Sequence, residues 1–149
     1  MQTMNKIFLL ISLFIFSGCA KRTSILDIWD TDIHYFNQLI SRWENEGNEI
    51  AGYGAARSNP TLLAQFKISN KISFIVDDHP QKVNKYTPGD KIKVIPTKEL
   101  IQKMPKYTII LAWIHAENII SKSHEYLRKG GNFVLLLPEI KIITAEDII

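Results

Sequence analysis

The sequence predicts a small doubly wound α/β domain, a Rossmann-like parallel sheet of about five strands. Three observations lead there. Short, almost wholly apolar runs recur at residues 73–76, 92–95, 107–113 and 133–137, too apolar for strands with one face in water. Helical segments separate them, so the strands are joined by crossovers rather than hairpins. The first unit, from Ile50 through Gly52-Tyr53-Gly54 to Leu63, has the strand, two-glycine turn and helix start of a βα phosphate-binding opening. Right-handed crossovers then predict the strand order 3-2-1-4-5.

Taken in order, residues 24–47 come first. Ile25, Ile28, Trp29, Ile33, Phe36, Leu39, Ile40 and Trp43 fall at gaps of three and four, the stripe of an amphipathic helix. Gly47 suits the left-handed position that ends such a helix. Its stripe must pack on the sheet that follows, the one partner the chain offers. The α/β domain spans 48–143. Residues 49–53 are the first strand, and 60–66 a helix with Asn59 as N-cap and Pro60 at its first position. Residues 73–76 end on Asp77-Asp78. A polar loop runs from His79 to Asp90 around the turn pair Pro88-Gly89. Residues 92–95 form the third strand, and Thr97 caps a helix reaching Lys103, with Glu99 in its first turn. Residues 107–113 form the fourth strand and 115–128 a helix. Gly130-Gly131 stop that helix before the last strand at 133–137. Residues 144–149 carry no clear pattern.

Residues 1–20 have a different character. Lys6 precedes an apolar run broken only by Ser12, then Ser17-Gly18-Cys19-Ala20, the order of regions in a secretory signal. The run is too short for a helix across a bilayer core of about 30 Å. Cys19 after Ser-Gly resembles the acylated cysteine of bacterial lipoprotein signals, although Phe16 stands where leucine is usual. Lipidation of Cys19 would anchor the chain to a membrane. The competing reading is an incidental apolar start on a cytoplasmic protein.

Composition narrows the function classes. The 149 residues carry a net charge of +3 with scattered lysines, which gives no footprint for nucleic acid. A single cysteine excludes an internal disulfide framework and a cysteine-built zinc site. His115 and His124 lie nine residues apart, about 180° out of phase on one helix, so no metal site is expected of them. There is no Gly-x-Ser-x-Gly elbow and no phosphate loop ending in Gly-Lys-Ser or Gly-Lys-Thr. No catalytic residue is assigned, and His79, alone on its loop, reads as a surface residue.

The candidate site is a binding edge. Gly52-Tyr53-Gly54-Ala55-Ala56-Arg57 matches part of a dinucleotide fingerprint, with arginine in place of the third glycine. Asp77 stands about twenty residues on, where an acid commonly meets a ribose hydroxyl. The alternative is a tight βα turn with no ligand. Arg57, near a helix N-terminus, is suited to grip a pyrophosphate or, failing that, to pair with Asp77 or Asp78. Trp113 either stacks on a base or sugar or fills the edge of the core.

Five blocks carry a resemblance to a known family: Ala51-Gly52-Tyr53-Gly54-Ala55-Ala56, Pro60-Thr61-Leu62-Leu63, Val76-Asp77-Asp78-His79-Pro80-Gln81-Lys82, Lys85-Tyr86-Thr87-Pro88-Gly89 and Ile110-Leu111-Ala112-Trp113, to which Gly130-Gly131-Asn132-Phe133-Val134 and Leu137-Pro138-Glu139 add. From Ile50 to about Ile143 the chain resembles the C-terminal domain of S-adenosylmethionine-dependent sugar C-methyltransferases. The resemblance implies a Rossmann-like domain forming one wall of a nucleotide-sugar cleft, with Gly52, Tyr53, Gly54, Asp77, Lys82 and Tyr86 toward substrate; Arg57, Ser58 and Trp113 complete the expected substrate-binding set. Arg57 and Ser58 replace a lysine and a glycine frequent in the family. It also implies that the zinc region and the methyl-donor domain, with the catalytic residues, lie outside this sequence. The chain alone is then expected to hold no S-adenosylmethionine and to methylate nothing unaided. Its expected partners are a nucleotide sugar and a separate catalytic chain. A lipoprotein using the α/β domain as a binding or structural module is the alternative.

Overall fold

The computed structural model describes residues 25–148, and the expected signal segment and Cys19 lie outside them. The chain divides into two units, residues 1–30 and 31–149; of the first, only the backbone helix from Ile25 is described. Helix α1 (Ile25–Asn45) closes as the glycine predicts. Gly47 takes φ 77° and donates to Glu44 O, while Asn48 N–H reaches back to Trp43 O, the paired bonds of a Schellman end.

The second unit is built on one six-stranded sheet in the order β3-β2-β1-β4-β5-β6. β1 (Ile50–Tyr53), β2 (Phe74–Val76), β3 (Lys93–Ile95), β4 (Tyr107–Ile110) and β5 (Asn132–Leu135) run parallel, in the order the crossovers predict. β6 (Lys141–Ile143) adds an antiparallel strand beside β5, an element the sequence does not announce. The joining helices are α2 (Asn59–Phe66), α3 (Glu99–Lys103), α4 (Ala116–Lys122) and α5 (His124–Arg128). The single helix expected over 115–128 is therefore two. A 3-10 turn at Trp113–His115 precedes α4, and Ser123 separates α4 from α5.

Alternation along each strand sends side chains into two cores. On one face Ile50, Ile75, Val94, Ile109 and Val134 meet Leu62, Leu63 and Phe66 of α2 and Phe36, Leu39, Ile40 and Trp43 of α1. From Ile33 to Trp43 the stripe of α1 thus packs on the sheet. Trp43 stacks on Tyr107 with ring centroids 3.9 Å apart, and Phe36 sets its edge on Phe66 at 5.8 Å. Each such buried side chain contributes about 1.5–3 kcal/mol. On the other face Ala51, Phe74, Val76, Ile110 and Phe133 pack under Leu100, Ile119, Tyr126 and Leu127.

Tyr126 is the one large polar side chain wholly inside this second core among the described residues. Its hydroxyl lies 2.8 Å from Thr108 Oγ1 and donates to Pro105 O at 2.8 Å, with Asn132 O at 3.3 Å. Burial pushes its phenol up to about 12, against the Thr108 hydrogen bond that pulls the other way. Because the folded pKa lies above the unfolded value near 10, the unfolded chain loses its proton first. The stabilisation is complete below about pH 10 and declines as pH rises toward 12. Over that window it amounts to roughly 2–3 kcal/mol. Urea unfolding from pH 8 to 11.5 should show this decline, and Tyr126→Phe should remove that share of it. Identical pH dependence in the two proteins would contradict the assignment.

Candidate functional site

Above the carboxyl ends of β1 and β2 the chain makes its tightest turn. Gly54 sits at φ 89° and donates to Val76 O at 2.8 Å. A Cβ on Gly54 would lie 2.5 Å from the Ala112 methyl, and one on Gly52 would lie 2.8 Å from Leu111 Cδ1 and 2.9 Å from Ile75 Cγ1. Both glycines are therefore required by neighbouring protein atoms.

Asn59 is not the cap of α2. It is the first residue of the helix, 2% exposed, and its side-chain N–H donates to Gly54 O at 2.8 Å. That bond folds the turn back onto the helix start. The Asn59 Oδ1 has no hydrogen-bond partner although it is buried. Ser58 occupies the cap position without a side-chain bond. Nor does Thr97 cap α3: its hydroxyl donates to Asp78, and Thr97 N–H does so at 3.0 Å.

Asp77 is the hinge of the region. Its Oδ2 accepts Ala55 N–H at 2.7 Å and lies 3.5 Å from Lys82 Nζ, while Oδ1 accepts His79 N–H at 2.7 Å. Partial burial alone would raise this carboxyl, but the His79 and Ala55 amides and the Lys82 charge outweigh it. The net position is below the usual aspartate value.

Between the start of α2 and the loop after β2 lies a cavity of 560 Å³, within the range of small-molecule sites. Leu63 and Val94 line it with Tyr86 and Pro88. Arg57, Lys82 and Lys85 bring three cations to its wall and Asp90 one carboxylate. Asn59, with its unpartnered oxygen, lines it too. Of the lining residues, Ala56 and Arg57 have backbone N–H groups that make no hydrogen bond among the described residues. Cations, free amides and a helix N-terminus converging on one hollow suit an anionic ligand.

Of the residues expected to face substrate, Arg57, Lys82 and Tyr86 come together in this cavity, while Gly52, Tyr53, Gly54, Ser58, Asp77 and Trp113 are not in its lining. Arg57 makes no ion pair with Asp77 or Asp78, whose carboxylates bind Lys82 and Thr97 instead. Tyr53 points into the opposite core, edge-on to Phe133 at 6.1 Å. Burial, and then the Asp78 and Asp77 charges, raise its phenol, with a Ser123 hydrogen bond opposing. Trp113 is 38% exposed, so it does not fill the edge of the core. Lys85 and Asn59 are lining residues that motif reading passes over. The signal for Lys85 is its place in a polar loop beyond a strand end; Asn59 is masked by its resemblance to a helix cap.

The family model described as the C-methyltransferase C-terminal domain matches residues 31–138. The chain belongs to that family. Among curated proteins, the C-methyltransferase NovU of Streptomyces niveus is 33% identical over 111 residues, covering 74% of this chain. The match spans 26% of NovU's length. The C-methyltransferase C-terminal domain here thus comprises the sheet through β5, the cavity, and most of α1.

Proposed function

We propose that this C-methyltransferase C-terminal domain is the substrate-holding part of a sugar C-methyltransferase and binds a nucleotide sugar in the cavity beside α2. The observation that carries the reading is the meeting of Arg57, Lys82 and Lys85 with the unbonded amides of Ala56 and Arg57 at a hollow of 560 Å³. A diphosphate is doubly charged and needs several donors at once. A guanidinium engages it in two places while the amides complete the cradle. Tyr86, 64% exposed at the rim, offers a ring face to a base or sugar. The described residues include no cluster of three or more His, Cys, Asp or Glu able to hold a metal. In this reading S-adenosylmethionine belongs to another domain or chain, and the role of this one is to bind and orient.

Thermal unfolding with dTDP- and UDP-sugars tests it. At a hundredfold excess over Kd the ligand stabilises the fold by about 2.7 kcal/mol, and the melting temperature should rise by several degrees. Arg57→Ala should weaken binding about tenfold or more, the worth of a charge-assisted contact of roughly 1.5–3 kcal/mol. No shift at millimolar ligand would overturn the reading.

A further inference from the structure

We infer that Asp77 is a positioning residue: its carboxylate clasps the two walls of the cavity and holds the Lys82 ammonium where an anion will meet it. The inference rests on the binding reading above but differs from the fingerprint expectation, in which Asp77 itself would touch a ribose hydroxyl.

The geometry supports the clasp. Ala55, on the wall formed by the βα turn, and Lys82, on the wall formed by the loop, both line the cavity; Asp77 does not. One oxygen, Oδ2, is shared between Ala55 N–H and Lys82 Nζ, and the other is taken by His79 N–H at the start of the loop. Three donors on one side chain that is 14% exposed leave little room for a further hydroxyl. Lys82 is held loosely. At 3.5 Å the contact is at the limit of a hydrogen bond, and its side chain is 39% exposed, so the ammonium can turn to an anion without leaving its partner's field.

Two opposed effects follow from removing the carboxylate. The negative charge near the site disappears, which favours an anion, and the placement of Lys82 is lost, which disfavours it, while the side-chain oxygen kept by Asp77→Asn can still accept Ala55 N–H. The two are separated by whether Lys82 is present. A double-mutant cycle therefore decides. Titration calorimetry with inorganic pyrophosphate is run on the whole chain, on Asp77→Asn, on Lys82→Met and on the double variant, at equal ionic strength and with unfolding curves for each. With Lys82 in place, Asp77→Asn should weaken pyrophosphate about tenfold, the scale of one charged contact. In the Lys82→Met background it should weaken it not at all, or tighten it.

An equal loss in both backgrounds, or none with Lys82 present, overturns the inference, because a residue that merely stabilises the fold acts regardless of Lys82. A loss for nucleotide sugar with no loss for pyrophosphate also overturns it and restores the ribose contact. If the unsubstituted chain binds neither pyrophosphate nor nucleotide sugar, the binding reading falls and this one with it. Should Asp77→Asn fail to fold, Asp77→Ser carries the same cycle.

Discussion

Gly54→Ala is expected to destabilise the domain by about 3–5 kcal/mol, from two sources that act together. The backbone at φ 89° is strained for any residue with a Cβ, at roughly 1–3 kcal/mol. The added methyl would sit 2.5 Å from the Ala112 Cβ and 3.3 Å from its amide nitrogen, and the backbone cannot yield as a flexible side-chain tip could. Gly54 also binds β1 to β2 through Val76 O and accepts the buried Asn59 side chain, so a shift is transmitted to both. Against a total stability of about 5–15 kcal/mol for natural domains, that is a large share of the margin. Urea midpoints measure the loss, and a change under about 1 kcal/mol would contradict this packing account.

Gly131→Ala is the second large effect, expected at about 3 kcal/mol or more. Its Cβ would lie 2.2 Å from Tyr126 Cε2 and 2.3 Å from Cζ. The ring cannot swing away. Its hydroxyl is tied to Thr108 and Pro105, and its face is packed 5.0 Å from Phe133. The neighbouring Gly130 is the control: at φ 95° with open space around it, alanine there meets only backbone strain, about 1–2 kcal/mol. Equal losses at the two positions would show that Tyr126 is freer to move than its three oxygen partners imply.

The fold was legible because its signals are local and repeated. Apolar runs near residues 73–76, 92–95, 107–113 and 133–137 could only be strands buried on both faces, and one chirality rule then orders them. β6 was not legible: Lys141, Ile142 and Ile143 are too few to show a period, and what stabilises them is pairing with Phe133 to Leu135. The break at Ser123 escaped for a related reason. Residues 115–128 contain no Gly or Pro to mark a break, and Ile119 and Tyr126 on either side of it both belong to the core of that face. In the site, residue types were readable and partners were not. Arg57 was read from its charge near a helix N-terminus and Lys82 and Tyr86 from the family resemblance, and the three line one cavity. Asp77 and Gly52 matched a motif whose spacing is the same whether the neighbour is a ligand or the protein's own atoms.

The loop that walls the cavity also guards the open side of the sheet. β3 is an outer strand, yet Asn84 N–H binds Val94 O, Val94 N–H binds Lys85 O, and Thr87 N–H binds Ile92 O, with Tyr86 bridged to Lys93. The exposed Lys91 and Lys93 add charge along the same border. Swinging this segment outward to admit a bulky guest would bare a ribbon of hungry amides to any other copy nearby. While the segment stays in place, that ribbon is covered and the molecules are kept apart.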